Sequence, residues 1–124
     1  MKQIHLGSFQ LGWENVDLYV FPEEDGGCYY FCPDPKSLPR IKIGLAYDKW
    51  SHVLAVLLHE SMEYLLERYG YCFKKSGNIS GDLSAKWFML SHIEITEVWA
   101  RQADFLADAI PALKKAYAKH VKKR

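Results

Sequence analysis

At 124 residues, 49% hydrophobic and 15% aromatic, the chain holds enough apolar side chain for one core, whereas two domains would each be starved of buried surface. Sixteen basic against fifteen acidic residues leave a formal net charge of +1, which excludes a whole-molecule field able to gather nucleic acid or an acidic membrane. The longest apolar run, around residues 53–58, is stopped by His59 and Glu60 and is far too short to cross a bilayer.

In chain order, apolar residues first recur with period two: Ile4 and Leu6, then Val16, Leu18 and Val20, then Cys28, Tyr30 and Cys32, then Ile41, Ile43 and Leu45. This alternation predicts four short strands. They are separated by residues 12–15, 22–27 and 33–39, all rich in turn formers and too short for helical crossovers, so an antiparallel or mixed sheet is expected. From about Trp50 the period becomes helical and holds to Tyr69, where Gly70 supplies a stop. Residues 74–81 read as a polar loop, and Asp82 or Ser84 as the cap of a second helix over residues 83–109. Pro111 should end or kink that helix, leaving a last piece over residues 112–121. The expected fold is therefore α+β: a small antiparallel or mixed four-stranded N-terminal sheet packed against two long helices plus a short C-terminal helix, in a single domain over residues 1–124.

Three cysteines, Cys28, Cys32 and Cys72, are an odd number, and the residues after Met1 lack a basic and apolar leader pattern, so reduced thiols and a cytoplasmic setting are expected. The spacing of Cys28 and Cys32 suits two same-face strand positions better than a zinc knuckle, which makes core-facing thiols the expectation. Lys114, Lys115, Lys119, Lys122, Lys123 and Arg124 form a basic end with one aromatic, Tyr117, and read as a solvated, frayed terminus.

The chemically pointed segment is His59-Glu60-Ser61-Met62-Glu63 in the first helix. With steps of about 100° and His59 at zero, His52 falls near about 20°, Glu63 near about 40°, Glu67 near about 80° and Glu60 near about 100°. These polar residues share a stripe, while Leu54, Leu57, Leu58, Met62, Leu65, Leu66 and Tyr69 occupy the rest of the circumference. The stripe is either the helix's wet face, the ordinary case for His52 and Glu67, or the wall of a site. His59 and Glu63, four apart, can offer a nitrogen and an oxygen to one ion, with Glu60 turned aside. In the second helix Glu94, Glu97, Arg101, Asp104 and Asp108 gather on one side and His92 on the other, among Phe88, Ile95, Thr96, Trp99 and Leu106. His92 is then either a core histidine bonded to a carboxylate or carbonyl, or the third donor of a two-histidine, one-glutamate zinc site.

A short sheet, a helix bearing His59-Glu60 and a second helix with a further donor resemble, in layout over residues 40–106, the minimal zincin-type metallopeptidase domain, particularly the small zincin-like proteins of phages and prophages. The resemblance is specific only at His59, Glu60, Glu63 and His92. It implies His59 as a zinc ligand and Glu60 as general base for a metal-activated water that hydrolyses a peptide bond; with the donors placed by the helix faces, the expected ligands of Zn2+ are His59, Glu63 and His92. It also implies that the strand over residues 40–46 binds an extended peptide by edge pairing. The chain departs from the family where the second histidine of the motif is Glu63, whose negative charge makes the metal a weaker Lewis acid. A peptide or protein partner is expected, in the host cytoplasm if the chain is phage-encoded, with no nucleic acid and no membrane. The alternative is a non-enzymatic phage-encoded inhibitor or anti-defence protein that acts by protein–protein binding through Tyr19, Tyr29, Tyr47 and Trp50.

Overall fold

A computed structural model describes residues 2–31, 36–70, 72–74, 86–88 and 92–122, with backbone alone at 72–74, 86–88, 92 and 122. Four strands, β1 (Ile4–Leu11), β2 (Glu14–Phe21), β3 (Gly27–Tyr30) and β4 (Arg40–Gly44), precede helix α1 (Trp50–Arg68). A small hairpin of β5 (Cys72–Lys74) and β6 (Lys86–Phe88) leads to helix α2 (His92–Lys122). The α+β class read from the sequence holds, and the sheet is mixed.

The sheet order is β1-β2-β4-β3, with β2 and β4 parallel and the other pairs antiparallel. Every β4 residue therefore has a partner strand on each side or lies at the strand's end, and among the described residues the edge strands are β1 and β3. Edge pairing of a peptide with residues 40–46 is overturned by this order. Strand β4 is internal, because β3 folds back along it, and the edge beside α1 is β3.

One sheet face is dry. Val16, Leu18, Val20, Ile41 and Ile43 alternate onto it and meet Val53, Leu57, Tyr64 and Leu65 of α1 and Val98, Phe105, Ala109 and Leu113 of α2 in a single cluster. Each fully buried aliphatic side chain here contributes about 1.5–3 kcal/mol, far more than helix propensity supplies. The other face carries Asp17, Tyr19, Arg40 and Lys42, with Arg40 stacked 5.6 Å from the Tyr19 ring and Lys42 5.4 Å from that of Phe21. Cys28 sits opposite Lys42 in the register and so belongs to this open face. The expectation of a core-facing thiol fails there because Tyr29, its neighbour, takes the inward position opposite Ile41. Cys28 is a free thiol, and Cys32 lies outside the described residues.

Helix α1 ends as the sequence predicts: Gly70 has φ +78 and donates its N–H to the Glu67 carbonyl at 3.2 Å. The later helix departs from expectation at both ends. Lys86, Trp87 and Phe88 pair with β5 instead of starting a helix, in keeping with the strand preference of Trp and Phe, and the proposed caps Asp82 and Ser84 lie outside the described residues. Pro111 neither ends the helix nor separates a C-terminal piece: α2 runs through it. Pro111, Ala107 and Asp108 are exposed, so the carbonyl that the proline leaves without a donor faces water, while buried Ala109 and Leu113 hold both sides of the proline on the core. The basic end is helical to Lys122 and docked by Tyr117, which donates to the Tyr47 carbonyl at 2.7 Å and packs 6.0 Å from the Trp50 ring. Among the described residues, no helix is long and apolar enough to cross a membrane.

Candidate metal centre on the first helix

Helix α1 lies against β3 and β4 with the side that carries Val56, Glu60, Glu63, Tyr64 and Glu67 turned towards the β3 edge. Gly27 makes this approach possible. A Cβ there would stand 2.6 Å from Val56 Cγ1 and 3.1 Å from Glu60 Cγ, so only glycine lets the strand come so close to the helix. Tyr29, two residues on, donates its hydroxyl to Glu67 Oε2, and its ring packs edge-on against Tyr64 at 6.0 Å.

His59 and Glu63 are brought together as the spacing predicts: Nε2 lies 3.1 Å from Glu63 Oε1 across one helical turn. The histidine is 58% exposed, whereas the carboxylate is nearly covered. Glu60 is more enclosed still, at 5% exposure. One oxygen of each carboxylate, Glu60 Oε2 and Glu63 Oε2, is buried with no hydrogen-bond partner among the described residues. A buried carboxylate oxygen without a donor is costly, and the cost is relieved by a proton or by a cation. Burial pushes the Glu60 carboxyl above the usual carboxylate range; His59 beside it pulls the other way, and the Glu63 charge adds to the rise.

Other members of the stripe are placed elsewhere. His52 is exposed, with its ring edge-on to Tyr47 at 6.1 Å, and Glu67 is engaged by Tyr29, so neither is drawn to the His59–Glu63 pair. His92 is the first residue of α2, and its side chain lies outside the described residues. Trp99 and Thr96, expected beside it on an apolar face, are exposed; burial on α2 instead follows Val98, Gln102, Phe105, Ala109, Leu113 and Tyr117. Among the described residues no three His, Cys, Asp or Glu side chains stand together as a metal-holding group. Of the three expected donors, the described side chains bring His59 and Glu63 together, and that of His92 lies outside the described residues.

Comparison of the chain with protein-family models, with curated proteins and with solved structures gives no match. Assignment of the site therefore rests on its own geometry.

Several supporting residues carry no motif. Gln102 of α2 donates to both the Leu58 carbonyl and Ser61 Oγ at 2.9 Å, and Ser61 in turn donates to the Leu57 carbonyl at 2.8 Å. This network pins the turn of α1 that holds His59 and Glu60. At the helix end Arg68 grips both oxygens of Glu14, at 2.7 and 3.0 Å, and Tyr64 donates to the same carboxylate. A glutamine at helical spacing between Val98 and Phe105 is the sequence signal that could have singled out Gln102. The pairing of Glu14 with residues fifty positions later has none.

The interface aromatics expected from the sequence are also redistributed. Tyr29, Tyr47 and Trp50 are packed as described above, and Tyr19 lies partly covered beneath Arg40 and beside His5. Among the described residues the aromatics that face outward are Trp13, at 75% exposure, Trp99, at 60%, and Tyr30, at 51%.

Proposed function

We propose that this chain is a small zincin-like zinc-binding protein in which His59 and Glu63 hold the metal with His92, and Glu60 acts as general base in peptide-bond hydrolysis. The observation that carries the reading is the pair of buried carboxylate oxygens of Glu60 and Glu63, without a partner among the described residues, beside the accessible imidazole of His59. A bound zinc ion would supply a Lewis acid and a water of lowered pKa. Glu60, with its proton affinity raised by burial, would take a proton from that water and return it to the leaving amine. Strand β3, the edge strand beside Glu60 among the described residues, favours an extended peptide as substrate, held by main-chain hydrogen bonds.

The test is elemental analysis of protein purified without a metal-affinity tag. Stoichiometric zinc is expected, lost in His59→Ala and in Glu63→Ala, while Glu60→Gln keeps the metal and loses any peptidase turnover. Metal-free protein whose melting temperature ignores chelators would remove the proposal.

The second reading, a non-enzymatic inhibitor or anti-defence protein that acts by contact alone, is favoured by the exposed Trp13 and Trp99, since tryptophan is a preferred interface anchor. It separates from the first at Glu60→Gln: binding of a partner would survive that substitution.

A further inference from the structure

A cavity of about 620 Å³ opens between the start of β1, the turn after β2 and the last third of α2, and shares no residue with the His59–Glu63 site. Its floor is hydrocarbon: Ile4, Leu6, Leu45 and the two small residues Ala112 and Ala116. Its mouth is cationic, with Lys2, Lys115 and Lys119 and the imidazole of His120 against one acid, Glu23.

Three features keep the space from closing. Ala112 and Ala116 are four apart and so stand one above the other on α2, where a larger residue would project into the space. The helix cannot settle inward, because Leu113 is already fully buried and Tyr117 is tied to the Tyr47 carbonyl at 2.7 Å. Leu45 on the opposite wall is fixed by its N–H bond to the Phe21 carbonyl at 3.0 Å. The size falls in the range of small-molecule sites, roughly 300–1,000 Å³, and is large for a packing defect.

We infer that this cavity binds a single-chain anionic amphiphile, such as a medium-chain carboxylate, with its tail on the Ile4, Leu45 and Ala116 floor and its head among Lys2, Lys115 and Lys119. Charge complementarity selects the head: a cation would meet the lysines, and a neutral head would forgo them. The apolar floor selects the tail, and each methylene it covers tightens binding by about fourfold.

The experiment is calorimetric titration of the full chain with decanoate below its self-assembly concentration, beside octanoate, decanol and phosphatidylglycerol vesicles. Saturable binding of decanoate is expected, weaker for octanoate by at least about tenfold, as two methylenes imply. The double substitution Lys115→Glu, Lys119→Glu should weaken decanoate and spare decanol. Ala116→Leu should abolish binding of both while the melting temperature holds or rises; if that variant does not fold, Ala112→Val carries the same test. The inference fails if decanoate does not saturate, if decanol binds as tightly as decanoate, or if the filling variants bind like the parent. Binding to vesicles that Ala116→Leu leaves untouched would identify a basic surface in place of a cavity and would equally overturn it.

Discussion

Glu60 shows how much one side chain's chemistry depends on what is packed over it. On a free helix it would be an ordinary surface glutamate, ionised above about pH 4.3. Here it is covered by β3 at Gly27 and shares its surroundings with Glu63, so its folded-state proton affinity is raised, chiefly by burial. The sign of the linkage follows: as pH rises through the unfolded carboxylate value, the unfolded chain releases its proton first, so folding weakens until the folded-state carboxyl also ionises. In chelator-treated protein, Glu60→Gln should therefore melt higher than the parent at neutral pH, and the difference should shrink towards zero below about pH 4. A difference that stayed constant with pH would mean that the carboxylate is not penalised by folding.

At the scale of elements, α1 is held from both sides by contacts that a substitution can address one at a time. Gly27→Ala would force β3 away from Val56 and Glu60, and a cost of about 1–3 kcal/mol is expected by chemical denaturation, the usual range for overpacking. An unchanged midpoint would show that the strand is not pressed on the helix there. On the other side Gln102→Ala removes two hydrogen bonds at once and leaves the Ser61 hydroxyl with only its bonds to the preceding turn. A loss of about 1–3 kcal/mol should follow, measured in the same way, with Gln102→Glu no better because a carboxylate lacks the donors. Period-two alternation showed where β2 and β4 lie, and helical period showed α1, because burial on one face leaves a direct trace in apolar spacing; in β3 the alternating Cys28 and Tyr30 lie on the open face instead. Strand order left no such trace: nothing in Ile41 or Ile43 says that β3 will cover the far side of β4. The continuation of α2 through Pro111 was hidden for a similar reason, since a proline's local penalty is legible and the packing of Ala109 and Leu113 that overcomes it is not.

Across the whole molecule, two regions with separate chemistry sit on one core, the carboxylate and imidazole group of α1 and the basic-rimmed cavity under the end of α2. Composition, near-neutral charge, the α+β class, the span of α1 and the closeness of His59 to Glu63 were decided by the chain itself, since each depends on spacing within one element or on totals. Tertiary structure alone decided that Glu60 is buried, that Cys28 faces outward, that β3 and not β4 is the edge beside the site, and that Lys115 and Lys119 border a cavity. All of these depend on which surfaces meet, and a meeting between residues far apart in the chain is set by the summed packing of the core rather than by any local pattern.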